Sequence, residues 1–242
     1  MDSRCDAMDT HLPAGALAEA LRASAARSSP ADALAGVVSM AVASGPCDAA
    51  SITVRTGSEM ESVACSDDLT RKADSLQYDL CEGPCLDAVW NDDVYVINDL
   101  RADGRWPRWT TAAAGLGVGS SLSVHLFTDS ALGSLNLYSL HPRQYNPVEV
   151  EAAKILAAHA SVVLGFTRTE QHLWRAINAR NLIGQAQGIL MHKYGLTADK
   201  AFGVLRRYSQ TKNIKLAEVA QHLTTTGDLP DFDAHLIKDT GH

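Results

Sequence analysis

Residues 147–194 read PVEVEAAKILAAHASVVLGFTRTEQHLWRAINARNLIGQAQGILMHKY, with no proline after the first position. Pro147 and Glu149 are typical of a helix start, because proline has no N–H to leave unsatisfied and a carboxylate suits the positive end of the helix dipole. Gly195 follows a basic last turn and is typical of a helix stop. The stretch therefore predicts one helix roughly 70 Å long. Because that length exceeds one small domain, we expect the helix to connect two domains.

The composition is that of an ordinary globular protein. The 242 residues, 46% hydrophobic and 20% charged, suffice for one large or two small domains. The acidic N-terminus lacks the apolar run of a secretory signal. We expect no membrane span, because Lys154, His159 and Arg168 interrupt the most apolar part of the long helix. Five cysteines without disulfide-type spacing fit a reducing compartment. These features predict a soluble cytoplasmic protein.

The charge is unevenly distributed along the chain. Residues 1–167 carry 11 Lys and Arg against 21 Asp and Glu, whereas residues 168–223 carry nine against three. The tail that follows is acidic, with four Asp against one Lys in residues 224–242. A basic segment inside an acidic protein indicates a polyanion-binding module, and the alternative is a solvated basic helix surface.

The N-terminal half changes from helical to alternating hydrophobic spacing. Residues 1–30 are an Ala- and Ser-rich extension, in which we expect a frayed or weakly packed helix. Residues 99–111 are expected to form a loop. Thr128-Asp129-Ser130 has the chemistry of a hairpin turn. We expect an α+β domain, a mainly antiparallel sheet with helices on one side. Helices are predicted at 31–44 and 86–90, and a short helix with a loop at 67–80. Strands are predicted at 50–55, 63–65, 94–97, 120–127 and 132–138.

The order of several short motifs in this half resembles a GAF domain, of the type found in actinobacterial regulators. The motifs are Glu82-Gly83-Pro84-Cys85, Asp99 followed by Arg105-Trp106-Pro107, and Gly133-Ser134-Leu135-Asn136-Leu137-Tyr138-Ser139. The resemblance covers residues 31–165. It implies an antiparallel sheet with a ligand-sized pocket on one face and a sensor role. No particular cofactor is implied, because GAF ligands include cyclic nucleotides, tetrapyrroles, haem and small metabolites, and many GAF domains bind none.

After the long helix, two further apolar stripes have helical spacing. Ala201, Phe202, Leu205 and Tyr208 form the first, and residues 216–223 form the second. Such short helices must share a core, which predicts a small bundle with the end of the long helix. The segments 180–191, 201–206 and 209–220 resemble the ANTAR domain, with coverage of 168–225. This resemblance implies a transcription antiterminator that binds paired RNA hairpins and prevents the terminator from forming. The whole fold is then a GAF-like sheet with flanking helices, joined by a long helix to an all-α bundle.

A reader of RNA hairpin loops needs cations for phosphates together with amides or aromatic rings for splayed bases. Gln187 stands where the ANTAR family usually has Lys or Arg, so one electrostatic contact is lost there. For Tyr208, core packing is preferred over base stacking. The candidate RNA-binding residues are Gln187, Lys193, Tyr194, Arg206, Arg207, Ser209, Lys212, Asn213 and Lys215.

Other chemistries have weaker support. Cys81 and Cys85 form a candidate redox pair, although their spacing is not that of a zinc site, and buried packing is the alternative. No nucleophile motif, phosphate-binding loop, carboxylate pair or metal-ligand spacing stands out, so we expect neither an enzyme nor a metal protein. A ligand- or redox-sensing regulator that binds DNA, or that signals without RNA binding, remains the alternative function.

The connecting helix, 147–175, carries more apolar residues than one sheet can cover. Its stripe extends through Ile155, Val162, Phe166, Leu173 and Ile177. The spacing predicts a coiled coil with a second chain, and hence a homodimer that presents two RNA readers. The acidic tail is assigned to 226–242. An upstream protein partner remains a further expectation.

Overall fold

The computed structural model describes residues 29–44, 47–91 and 93–230, except for the side chains of residues 171 and 172. The chain forms two compact units that divide between Thr167 and Arg168. The predicted N-terminal helix within 1–30 and most of the acidic tail lie outside the described residues.

The N-terminal unit is built on an antiparallel sheet of five strands. Their order across the sheet is β2-β1-β5-β4-β3, with a tight hairpin at residues 128–130 between β4 and β5. The predicted α+β class and GAF-like sheet are confirmed. The strands are β1 (Ala49–Thr56), β2 (Glu59–Cys65), β3 (Val94–Ile97), β4 (Ser120–Phe127) and β5 (Ala131–Ser139).

Helices cover both faces of this sheet, so the expectation of helices on one side is wrong. The first face, with Ile52 and Leu135, packs against α1 (Pro30–Ala43) and the first third of α5 (Pro147–Tyr194). The opposite face, with Ala49 and Tyr138, packs against α2 (Asp68–Leu80) and α4 (Pro107–Gly115). Helix α3 (Pro84–Asn91) follows α2. Alternate residues of one strand point to opposite faces, which divides the core into two layers.

Helix α4 lies where the sequence predicted a loop. Its Trp and Thr residues have low helix propensity, but Pro107 occupies the first turn and Trp109 is fully buried. Tertiary packing of Trp109 against Ala73 therefore outweighs the weak local preference.

Helix α5 begins and ends where the sequence predicts, and Gly195 after it has a φ of 63°. Among the described residues it is the one helix with an 18-residue window long and apolar enough to cross a membrane, with a mean hydropathy of 1.3. Ala153, Leu156 and Ala160 within it pack in the core of the N-terminal unit, which gives the helix an apolar face for a reason other than lipid.

The C-terminal unit packs the end of α5 against α6 (Ala198–Lys212) and α7 (Leu216–Thr226). Asn213 and Gly227 end α6 and α7 in the left-handed conformation. The predicted three-helix bundle is confirmed. Its buried core consists of Ala186, Leu190, Ala201, Val204, Leu205, Tyr208, Val219, Ala220, Leu223 and Leu229.

Candidate functional site

The predicted cations lie on the surface of the C-terminal unit. Arg206, Lys212 and Lys215 are exposed, and Arg207 is half-buried. They come from the second half of α6 and from the turn before α7. This turn is short because Asn213 reverses the chain with a φ of 54°. The surface can bind a polyanion through several separate charges.

Two of the predicted hydrogen-bonding side chains, those of Gln187 and Ser209, already bond to backbone carbonyls at the surface of the bundle. The Gln187 amide donates to the carbonyl oxygen of Ala198 at 3.1 Å, across the turn between α5 and α6. The Ser209 hydroxyl donates to the carbonyl oxygen of Ile214 at 2.6 Å. Together with the left-handed Asn213, these side chains hold the two interhelical turns. RNA contact by any of them would compete with a structural role.

Lys193 is paired with the start of the acidic tail. Its ammonium lies 3.2 Å from an Asp228 carboxylate oxygen and 3.3 Å from the carbonyl oxygen of Gly227. It also lies 5.6 Å from the ring centroid of Tyr194. The hydrogen bond to Asp228 raises the pKa of Lys193. Both partners are solvent-exposed, and such a pair exchanges readily for another anion.

Tyr194 and Tyr208 contribute to the bundle in different ways. Tyr194 is half-buried against the core, with the Lys193 ammonium over its ring. Tyr208 is buried and its hydroxyl donates to the carbonyl oxygen of Pro230 at 2.6 Å. Tyr208 therefore holds the segment after α7 onto the bundle.

Most of the predicted apolar stripe on α5 is solvent-exposed in the single chain. Phe166 is 75% exposed and Leu173 60%, and Val162 and Ile177 are also exposed. Ile155 instead packs partly against the core of the N-terminal unit. Trp174, 58% exposed, lies beside Leu173 and was not predicted.

The two cysteines of the candidate redox pair lie in contrasting environments. Cys81 is exposed and ends α2 in the left-handed region, with a φ of 50°. Cys85 is fully buried, and its sulfur lies 3.0 Å from the Ser134 hydroxyl. Burial raises the pKa of Cys85 to about 12, so its thiol stays protonated at neutral pH. A protonated, buried thiol is a poor nucleophile, which favours a packing role for Cys85.

The GAF-type motif around Gly83 supports the fold. A Cβ at Gly83 would lie 2.2 Å from the Gln77 amide oxygen, which accepts from the backbone N–H of Cys85 at 2.8 Å. The Glu82 carboxylate accepts from the backbone N–H of Trp109 at 3.1 Å and so caps the start of α4. Only glycine fits at position 83 in this packing.

A buried network of polar side chains fills the space between the sheet and α2, and sequence reasoning missed it. At its centre, the Asp74 carboxylate is fully buried. It accepts from the Tyr138 hydroxyl at 2.6 Å, the Asn136 amide at 3.2 Å and the Ser62 hydroxyl at 2.7 Å. Tyr138 also accepts from the Gln77 amide at 3.1 Å. Burial raises the pKa of Asp74, although these hydrogen bonds partly offset the effect.

Within the described part of the chain, no group of three or more His, Cys, Asp or Glu residues is placed to hold a metal ion.

Comparison with known sequences assigns both halves of the chain. The sequence model of the GAF domain matches residues 17–165, and that of the ANTAR domain matches residues 171–223. The chain belongs to the GAF domain family. It combines this GAF domain with a C-terminal ANTAR domain, which confirms the two resemblances and gives the chain the architecture of a signal-sensing transcription regulator. No curated protein sequence matches it.

Solved structures agree with the GAF fold. A GAF domain from a phosphoenolpyruvate-protein phosphotransferase of Coxiella burnetii superposes with a TM-score of 0.52 and 17% identity, covering 66% of this chain and 99% of that one. The phycocyanobilin-bound GAF domain of a cyanobacterial phytochrome superposes with a TM-score of 0.53 and 16% identity, covering 66% of this chain and 98% of that one. The GAF domain of an Acinetobacter phosphoenolpyruvate-protein phosphotransferase superposes with a TM-score of 0.51 and 14% identity, covering 64% of this chain and 94% of that one. At such low identity the likeness establishes the fold alone.

Proposed function

We propose that this chain is an RNA-binding transcription antiterminator of the cytoplasm. The ANTAR domain binds paired hairpins in a nascent transcript and prevents terminator formation, and the GAF domain regulates it. The ANTAR match over residues 171–223 carries this proposal, because it coincides with a three-helix unit whose surface is basic.

The charge distribution supports a nucleic-acid ligand. Nine Lys and Arg against three Asp and Glu in residues 168–223 stand in contrast to the acidic remainder of the chain. Arg206, Lys212 and Lys215 are exposed and can each approach a phosphate. Phosphate contacts release counterions, so the binding should weaken steeply with salt.

A binding titration of the full chain tests the proposal. The probe is a two-hairpin RNA, and a scrambled RNA of the same composition is the reference. We expect tighter binding to the two-hairpin RNA, and Lys215→Ala should reduce the salt slope by about one. The matched control is Lys154→Ala, which removes an exposed lysine of the GAF domain that pairs with Glu151. Equal binding of both RNAs at low salt would refute the proposal, and a preference for duplex DNA would support the alternative regulator.

The regulator acts as a homodimer joined along α5. Val162, Phe166 and Leu173 fit the a and d positions of one heptad register, and Ile177 follows at the adjacent e position. All four side chains are exposed in the single chain. Two ANTAR domains on one dimer match two hairpins. Phe166→Ser should shift the chain to monomer in sedimentation velocity at micromolar concentration. A wild-type monomer under those conditions would contradict the dimer.

The input to the GAF domain is a signal from a small molecule or an upstream protein. The phytochrome relative is described as phycocyanobilin-bound. In this chain, a ligand on the polar face of the sheet would compete with Tyr138 and Asn136 for the Asp74 carboxylate. Native mass spectrometry and an absorbance spectrum of the purified protein test for a resident ligand.

A further inference from the structure

The ANTAR domain has a groove of about 780 Å³ between the last turns of α5 and the end of α7. Its volume lies within the range of about 300–1,000 Å³ that is usual for small-ligand sites. We call it the α5–α7 groove. It is lined by Gln185, Gly188, Ile189, His192, Lys193 and Thr224.

We propose that the α5–α7 groove binds an unstacked base of an RNA hairpin loop. This inference rests on the proposed function and names the part of the ANTAR domain that contacts a base. None of the groove residues except Lys193 was selected from the sequence.

Two polar side chains in the groove, those of Gln185 and His192, are uncommitted, whereas the Thr224 hydroxyl donates to the carbonyl oxygen of Gln221 and Lys193 pairs with Asp228. Within the residues that the structure describes, the side chains of Gln185 and His192 are exposed and make no hydrogen bond to the protein. An amide offers a donor and an acceptor, as does a neutral imidazole, and base edges require such pairs. Gln187 and Ser209 instead bond to backbone carbonyls. The groove therefore offers base-edge contacts that cost no internal hydrogen bond.

Gly188 keeps the groove open. It lies inside α5, where glycine is a poorer helix former than any residue except proline. A Cβ at this position would meet no atom within 4 Å, so no packing contact requires the glycine. A missing side chain lets a ligand approach the helix backbone closely. Ile189, half-buried beside it, supplies an apolar surface for the face of a base.

Charge favours RNA over a protein segment as the occupant. Lys193 lies at the edge of the groove, and its exposed pair with Asp228 can be exchanged for a phosphate. Only Ile189 among the six lining residues is a large apolar side chain, whereas a docking helix needs an apolar stripe.

Filling the groove provides the test. The wild-type full chain is used to select a hairpin from a library with randomised loop nucleotides. The affinity for the selected hairpin is then measured for wild type and for Gly188→Leu. We expect Gly188→Leu to weaken binding about ten- to hundredfold, as for the loss of one stacked base. The matched control is Gly184→Leu, one turn earlier on α5, also with no atom within 4 Å of its Cβ and outside the groove lining. It should bind within about twofold of wild type, because it removes no base contact.

Abasic substitutions in the loop identify the contact. At one loop position, an abasic site should weaken the binding of wild type by the same factor as the Gly188→Leu substitution does. The same abasic site should not weaken the binding of Gly188→Leu any further. Thermal unfolding checks that both leucine variants remain folded, which helix propensity favours.

Several outcomes would overturn the inference. If Gly188→Leu bound the selected hairpin as tightly as wild type, and wild type still preferred this hairpin over a scrambled one, base binding in the groove would be refuted while the proposed function would stand. An equal loss in Gly184→Leu, or undiminished abasic sensitivity in Gly188→Leu, would also refute base binding there. A change in oligomeric state without a change in RNA affinity would assign the groove to a protein contact. If wild type bound selected and scrambled hairpins equally, both this inference and the proposed function would fail.

Discussion

Asp74 makes the stability of the GAF domain depend on pH in a direction that can be measured. Its carboxyl group is fully buried among neutral donors, and burial raises its pKa above the usual 3.8. The native state therefore holds the Asp74 proton more tightly than the unfolded state does. Below the pKa of Asp74 in the unfolded state, the carboxyl is protonated in both states and no charge is buried on folding. As pH rises from about 4 through the raised native pKa, the wild type loses stability.

Two substitutions separate the charge of Asp74 from its hydrogen bonds. In Asp74→Asn, the amide oxygen still accepts from Tyr138, and the Ser62 hydroxyl can reverse to accept from the new NH₂ while donating to Tyr78, 2.9 Å away. In Asp74→Ala, the buried Tyr138 hydroxyl loses its acceptor and a small cavity forms. We expect Asp74→Ala to lower the free energy of unfolding by about 2–4 kcal/mol.

The assay is urea unfolding of the full chain, followed by tryptophan fluorescence at several pH values. Trp109 reports on this unit, because its buried ring packs against Ala73 of α2. The stability of Asp74→Asn relative to wild type should increase with pH above about 4 and then level off. A relative stability that falls as pH rises would refute the reasoning, because it would mean that the surrounding donors stabilise the carboxylate more than burial destabilises it.

Three further perturbations test separate parts of the molecule. Gly133→Ala places a Cβ 1.8 Å from a carbonyl oxygen of β1 and should cost about 2–4 kcal/mol in thermal or urea unfolding, whereas Gly115→Ala, with no neighbour within 4 Å, should not destabilise the chain. Cys81→Gly should stabilise the chain by about 0.5–1 kcal/mol in the same assay, because a left-handed residue with a Cβ is strained at the end of α2. Asp228→Asn frees Lys193 and should raise RNA affinity about two- to fivefold at low salt, an effect that vanishes in a Lys193→Ala background. An unchanged affinity would mean that Lys193 does not contact RNA.

The sequence predicted the bundle and the long helix well, because their signals are local. The ends of α5 are marked by Pro147 and Gly195, and the stripes of α6 and α7 recur at helical spacing. It did not distinguish the amides that are free to contact RNA from those engaged within the bundle. Gln187 and Gln185 are two residues apart on the same helix, and periodicity cannot show that only Gln187 reaches a backbone carbonyl across a turn. That distinction depends on where the next helix begins.

The layer architecture exposes a deeper ambiguity. Ser51 and Thr53 on β1 alternate with apolar residues, a pattern typical of a strand with one face in solvent. Both are fully buried, because α2 covers that face with polar residues of its own, among them Asp74 and Gln77. The alternating pattern shows which side chains are polar, but not whether water or other protein groups form their hydrogen bonds. The Asn136 amide donates to Thr53 and to Asp74, which lie 83 and 62 residues away in the sequence. These hydrogen bonds can replace those to water only after the fold has formed. The pH dependence predicted for Asp74→Asn would therefore measure the property that the alternating pattern leaves undetermined, namely whether this polar face is solvated or buried.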